Sequence, residues 1–447
     1  MMEETHTAAV SGCLETRAAA AWPRRATSFA AKFTTDFRRL TAFLSAVDNR
    51  VVQSSSAPLA VGHGGRVGAR DGRIAAVDAA RGVAMLVVFL AHFADAFYGP
   101  HPRHHLFILI TRMASPAFVW LSGMMLGVLH CRHRAHFTDT RDRLIDRGLF
   151  LLLVGHPLLM GAFMIRSAWA DTWRVLFITD TLGVCLIGGS LLIDRLGVRA
   201  RLLLGASCLM LSWLLILFWS PAAHGNAWWL KDIITADWRV DGFAYKFPLL
   251  PWFGLYMLGS SAGSVLAARI GDPTFRARVR VRALVIALGS IAAAVGVRAL
   301  LRAVAGLPAA AEYAPGLRQI ASLTEKLPPG PGYVLFYGGL ALLLFWLVLV
   351  ADLVPWGQAF SRWSALFGRC SLACFVTQFY VYYVAVYRLP HPPEILAPLY
   401  FAVTVALLRL FARTWDRHGW NRLITVGYPR FARARRHEPT ISARPAA

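Results

Sequence analysis

Lysine is almost missing from this chain: Lys32, Lys231, Lys246 and Lys326 are the only ones in 447 residues. Acidic residues are scarce as well, 24 Asp and Glu against 47 Lys and Arg, which leaves a formal net charge of +23. The basicity is therefore arginine scattered between apolar stretches. A nucleic-acid-binding face would need that charge gathered with aromatics on a soluble segment, so no nucleic acid is expected as a partner. The six cysteines (Cys13, Cys131, Cys185, Cys208, Cys370 and Cys374) include no Cys-x-x-Cys pair and no histidine at metal spacing. That argues against structural zinc and disulfides, and no metal is expected. The first 30 residues lack the apolar core of a secretory signal, and Glu3, Glu4 and Glu15 disfavour a transit peptide. No internal repeat points to an inverted-repeat carrier.

What the chain has in excess is apolar length. Hydrophobic residues make up 57% of it, and ten runs approach the roughly 20 residues that cross a bilayer: 77–98, 106–129, 148–165, 173–193, 202–219, 249–268, 283–303, 334–351, 365–386 and 396–411. The expected fold is all-α, a polytopic bundle of about ten transmembrane helices with the lipid bilayer as its first partner. The arginines alternate between connections. Segments 130–147, 194–201 and 269–282 are rich in them, while 99–105, 166–172, 220–248, 304–333 and 387–395 carry fewer over greater length. By the positive-inside rule both termini are cytoplasmic, and an even span count agrees. The expected setting is a plasma membrane of the bacterial inner type.

Three regions follow from composition: an extension over 1–70, the membrane domain over 71–415, and a basic cytoplasmic tail over 416–447. Within the extension Phe29, Phe33, Phe37, Leu40, Phe43, Leu44 and Val47 recur at helical spacing opposite Lys32, Arg38 and Arg39. That pattern suits a helix lying on an anionic leaflet, and a disordered extension is the alternative. In the outer connection 220–248, Trp228, Trp229, Trp238 and Tyr245 stand among mixed charges, as in an interface belt or a sugar-binding rim.

The first span, VDAARGVAMLVVFLAHFADAF, is the most informative segment. Arg81 and His92 are eleven residues apart, so at 100° per residue they fall within about 20° of each other, and Asp78 and Asp95 share that side. Ionisable groups at membrane depth cost at least ~2.5–3.5 kcal/mol each on insertion scales, so a stripe of four implies a polar interior with a task. Asp180 and Arg112 fall inside other spans and are expected to face the bundle and pair with the stripe. His156 and Arg298 carry a weaker signal. His101, His104 and His105 cluster in the first outer connection without an accompanying carboxylate pair, which suits a solvated loop better than a metal site.

Four blocks carry a resemblance: RIAAVDAARGVAMLVVFLAHF, TRMASPAFVWLSGMMLG (Thr111 to Gly127), FPLLPWFGLYMLGSSAG (Phe247 to Gly263) and GRCSLACFVTQFYVYY (Gly368 to Tyr383). In this order, over roughly 73–390, they resemble integral-membrane acyltransferases, and most of all the heparan-α-glucosaminide N-acetyltransferase catalytic-domain family; acyltransferase family 3 is also similar. Where related sequences continue the last block to a histidine, this chain has Gln378.

The resemblance implies transfer of an acyl group, acetyl first, from acetyl-CoA or another acyl-CoA to a hydroxyl or amine of a glycan or lipid-linked sugar. His92 would then be the general base or transient acyl acceptor, since an imidazole of ordinary pKa near 6.5 takes and returns a proton near neutrality. Arg81 would grip the donor phosphates or an oxyanion from about 16 Å below His92 at 1.5 Å rise per residue, or else lock the helix end by pairing with Asp78. Asp95 or Asp180 would orient the base, and Arg112 and Arg369 are further candidate anion contacts. Two other readings remain at this point: a proton-coupled carrier using the same Asp, His and Arg as a relay, and a non-catalytic relative, suggested by Gln378.

Overall fold

The computed structural model describes residues 74–99, 102–167, 175–221, 225–236, 247–390 and 392–429. The expected Phe29–Val47 surface helix, the extension 1–70, His101, Trp238, Tyr245 and the end of the basic tail lie outside them. The side chains of His104 and His105 also lie outside the described part.

The described residues form these α-helices in order: α1 Ala75–Tyr98, α2 Pro102–Thr111, α3 Ala114–Arg132, α4 Phe137–Phe150, α5 His156–Ser167, α6 Ile178–Leu192, α7 Val198–Phe218, α8 Asn226–Thr235, α9 Leu249–Arg269, α10 Pro273–Val304, α11 Ala314–Ile320, α12 Pro331–Ala351, α13 Pro355–Arg369, α14 Ser371–Phe379 and α15 Ala397–Arg417. A π-helical turn, Leu151–Gly155, joins α4 to α5, and a second, Tyr380–Val386, prolongs α14. There is no strand among the described residues.

Proline opens α10, α12, α13 and α15 within their first two positions, where its missing N–H costs no helical hydrogen bond. At α10 the Asp272 carboxylate caps the helix, accepting from the Thr274 hydroxyl at 2.7 Å and the Thr274 amide at 2.8 Å. These bonds hold its carboxyl below the usual carboxylate range.

The bundle is an all-α membrane protein with fewer full-length spans than the hydropathy runs predict. Among the described residues, eight helical stretches are long and apolar enough to cross a membrane. The other two expected spans are the shorter apolar helices Ile178–Leu192 and Ser371–Val386. At 1.5 Å per residue these reach about 22–24 Å against a hydrocarbon core of about 30 Å. The expected arginine-rich loops are also largely helical. α4 and α10 begin at Phe137 and Pro273, so Arg141, Arg143, Arg147 and Arg276 to Arg282 ride on helix extensions. Arginine is a good helix former, and alternating charge between connections says nothing about whether a connection is coiled. On α4, the Asp146 carboxylate accepts from the Val426 and Tyr428 amides at 3.0 Å each, holding the start of the basic tail against this extension.

Two close helix pairs fix the centre. α3 and α9 meet through Gly123, Gly127, Gly259 and Gly263. A Cβ built on any of them would lie 2.0–2.2 Å from a carbonyl oxygen of the facing helix. This small-xxx-small spacing on both helices lets their backbones touch, which is how helices associate without a hydrophobic drive between them. α1 meets α13 in the same way, with Gly82 against the Ser364 carbonyl and Gly368 against that of Asp78. Since 82 faces 364 and 78 faces 368, α13 runs opposite to α1. The chain turns at Cys370, and α14 then climbs beside α1 in the same direction.

Candidate active site

The turn at Cys370 places two polar residues of α14 against the polar stripe of α1. Ser371 Oγ accepts from Arg81 Nη2 at 2.7 Å. Two helical turns further on, Gln378 Oε1 lies 2.8 Å from His92 Nδ1. An amide oxygen only accepts, so the ring donates from Nδ1 and its basic nitrogen is Nε2. Gln378 thus holds one nitrogen of the His92 ring. It is fully buried, and its own Nε2 has no hydrogen-bond partner among the described residues.

The His92 ring is held in an aromatic cage. Phe379, Tyr383 and Phe375 lie 4.7, 5.4 and 6.3 Å away between centroids. The π-helical turn that begins at Tyr380 places Tyr383 there. An extra residue in a turn rotates all that follows by about 100°, and such turns recur at functional sites. Asp95 stands one turn beyond His92 on the same face, half-buried.

Asp180 is not mid-span. It occupies the first turn of α6, where its Oδ2 accepts from the Phe177 amide at 2.7 Å, and it is nearly fully buried. The same oxygen lies 2.9 Å from His156 Nδ1, so its described ring partner is His156 and not His92. His156 follows the other π-helical turn directly and packs on Phe177 at 5.5 Å. Phe163 links the two histidine sites, 5.3 Å from Phe177, 5.6 Å from Phe379 and 5.3 Å from Tyr383. Two histidines, each with Nδ1 held, thus share one aromatic wall. Sequence reasoning ranked His156 low because its carboxylate lies 24 residues away in another helix.

On the other side of the stripe, the Arg81 guanidinium lies 5.9 Å from the Phe118 ring. Tyr256 is fully buried, and its hydroxyl has no hydrogen-bond partner among the described residues. An orphaned buried hydroxyl costs roughly 1–3 kcal/mol. A polar ligand atom reaching that hydroxyl would satisfy it. Sequence reasoning missed Tyr256, although it stands inside the FPLLPWFGLYMLG block.

The remaining expected anion contacts stand apart. Arg112 sits in the break between α2 and α3, donates to the Thr324 carbonyl and accepts at its own carbonyl from Tyr333 Oη at 3.0 Å. It pairs with a connecting segment and not with the α1 stripe. Arg369 Nη2 lies 2.8 Å from Asp416 Oδ2. Burial works to lower its pKa, but the Asp416 bond and charge outweigh it and raise the guanidinium above the usual arginine value. No cluster of three or more metal-ligating side chains occurs among the described residues.

The family model for the heparan-alpha-glucosaminide N-acetyltransferase catalytic domain matches residues 73–296, half of the chain, including α1 with His92, the His156–Asp180 pair and Tyr256. No curated protein matches the chain.

Proposed function

This chain belongs to the heparan-alpha-glucosaminide N-acetyltransferase catalytic family, and from that premise we propose that it is a membrane acyltransferase moving an acetyl group from acetyl-CoA to a hydroxyl or amine of a glycan or lipid-linked sugar. The observation that carries the reading is the His92–Gln378 bond, which gives the bundle a half-buried imidazole with a fixed tautomer on a stripe that also bears Arg81. A base so held takes the acceptor proton on Nε2 as the acceptor attacks the thioester carbonyl, then returns it to the leaving thiolate. Arg81 and the Tyr256 hydroxyl are the donors available for the developing oxyanion or for donor phosphate. Asp180 orients His156, which gives the site a second basic ring.

Tyr256→Phe is expected to leave thermal stability unchanged or slightly higher, because it removes an orphaned hydroxyl. Turnover should fall about 10–10³-fold if that hydroxyl stabilises the oxyanion. Unchanged acetyl transfer in this variant would remove Tyr256 from the site.

For the topology, both termini and the arginine-bearing extensions are proposed to be cytoplasmic. Cysteines placed at Arg141 and Arg278 should react only with reagents that enter the cytoplasm. Labelling from the opposite face would reverse the donor's route. The function itself is tested in liposomes: isotopic acetyl appearing in a glycan supports it, whereas an intact thioester and unmodified glycan would favour a carrier or a non-catalytic relative.

A further inference from the structure

The outer surface of α15 carries a feature that the transfer chemistry does not use. A groove of about 560 Å³ runs between α1, α13 and α15, lined by Leu86, Phe360, Trp363, Phe401, Val405 and Arg409. Its size is that of a small-molecule site, and its walls are apolar except for one guanidinium. Arg409 lies over the Trp363 ring at 5.6 Å, and its Nε is buried with no hydrogen-bond partner among the described residues. Its ring contact with Trp363 is the one described interaction it makes, and no described carboxylate pairs with it. Arg409 stands eight residues before the end of α15 at Arg417, about 12 Å along the axis, within a stretch apolar enough to cross a membrane. A charge at that depth calls for an anion beside it. Arg413 and Arg417 follow at four-residue intervals and are exposed, continuing the basic stripe toward the helix end.

We propose that this groove binds an anionic phospholipid from the leaflet on the side where α15 ends. One acyl chain lies along Leu86, Phe360, Phe401 and Val405, and the phosphate accepts from Arg409. The argument is charge complementarity: an apolar channel open to the bilayer, ending at a guanidinium whose described partner is an aromatic face, matches an amphiphile with one anionic oxygen cluster and a hydrocarbon tail. The occupant would also brace the centre of the bundle. Phe360 stacks on Trp363 at 5.8 Å, Trp363 touches Phe367 at 5.4 Å, and Phe367 touches Phe89 of α1 at 5.5 Å.

The test is thermal unfolding of the full chain purified in neutral detergent and titrated with phosphatidylglycerol or with phosphatidylcholine of the same acyl chains, and separately with inorganic phosphate. Phosphatidylglycerol should raise the midpoint, phosphatidylcholine much less, and phosphate alone not at all. Arg409→Gln should raise the phosphatidylglycerol concentration for half effect about tenfold, the scale of one charge-assisted contact. Ala406→Trp, which fills the groove and keeps the arginine, should do the same, and it decides the matter should Arg409→Gln fail to fold. A wild-type preference for phosphatidylglycerol retained by Ala406→Trp, or a shift reproduced by phosphate alone, would overturn the proposal. None of these readouts depends on acyl transfer.

Discussion

His92→Ala should lower acetyl transfer by about 10²–10⁴-fold, the usual worth of a positioned general base, while the bundle stays folded. The ring is half-buried at a polar stripe, so truncating it forfeits less packing than removing one of the aromatics that enclose it. Gln378→Leu should reproduce part of this loss, because the ring would lose the acceptor that fixes Nδ1 as its donor. Gln378→Glu should retain more activity, since a carboxylate accepts the same bond. Arg81→Lys should weaken donor binding more than turnover, an ammonium keeping the charge but not the planar fork. The measurement is steady-state kinetics on detergent-purified variants of matched folded fraction. If His92→Ala kept near-normal transfer while Asp180→Asn abolished it, the centre would have to move to the His156–Asp180 pair.

The second large effect is on folding. Gly263→Val should be among the most damaging single substitutions, at about 3 kcal/mol or more, the upper range of overpacking. Its Cβ would fall 2.0 Å from the Met124 carbonyl oxygen, and a backbone atom cannot rotate aside as a side chain can. α3 and α9 would have to separate, and Tyr256 would shift with α9. Gly289→Val is the control. It adds the same side chain to α10 at a position where a Cβ meets nothing within 4 Å, so its effect should stay within about 0.5 kcal/mol. Comparing the monomeric fraction of both variants by size exclusion after heating checks this, and equal behaviour would contradict the packing argument.

How much of this could be read from the chain depends on the range of each signal. Period and apolar length are local, so the helices and most span positions are legible; α6 and the Ser371–Val386 helix read as full spans because hydropathy runs through their ends. The stripe of Arg81 and His92 is local too, a matter of eleven residues on one helix. Their partners are not. Ser371 and Gln378 lie 290 and 286 residues away, and no periodicity connects them. Asp180 illustrates the opposite error. A carboxylate within an apolar run reads as an interior charge, and nothing in the run shows that the helix begins two residues earlier and uses it as a cap. Tyr256 drew no attention for a further reason: a tyrosine in an apolar helix is ordinary, and what singles it out is a buried hydroxyl without a hydrogen-bond partner among the described residues.

The most direct measurement is release of free coenzyme A thiol by the purified protein in lipid nanodiscs, supplied with acetyl-CoA and with or without a glycan acceptor. Thiol should appear at a rate that rises with acceptor concentration, accompanied by an equal amount of acetylated glycan. Thioester that stays intact under all acceptors, in protein whose bundle is folded, would contradict the assignment of this chain as an acyltransferase.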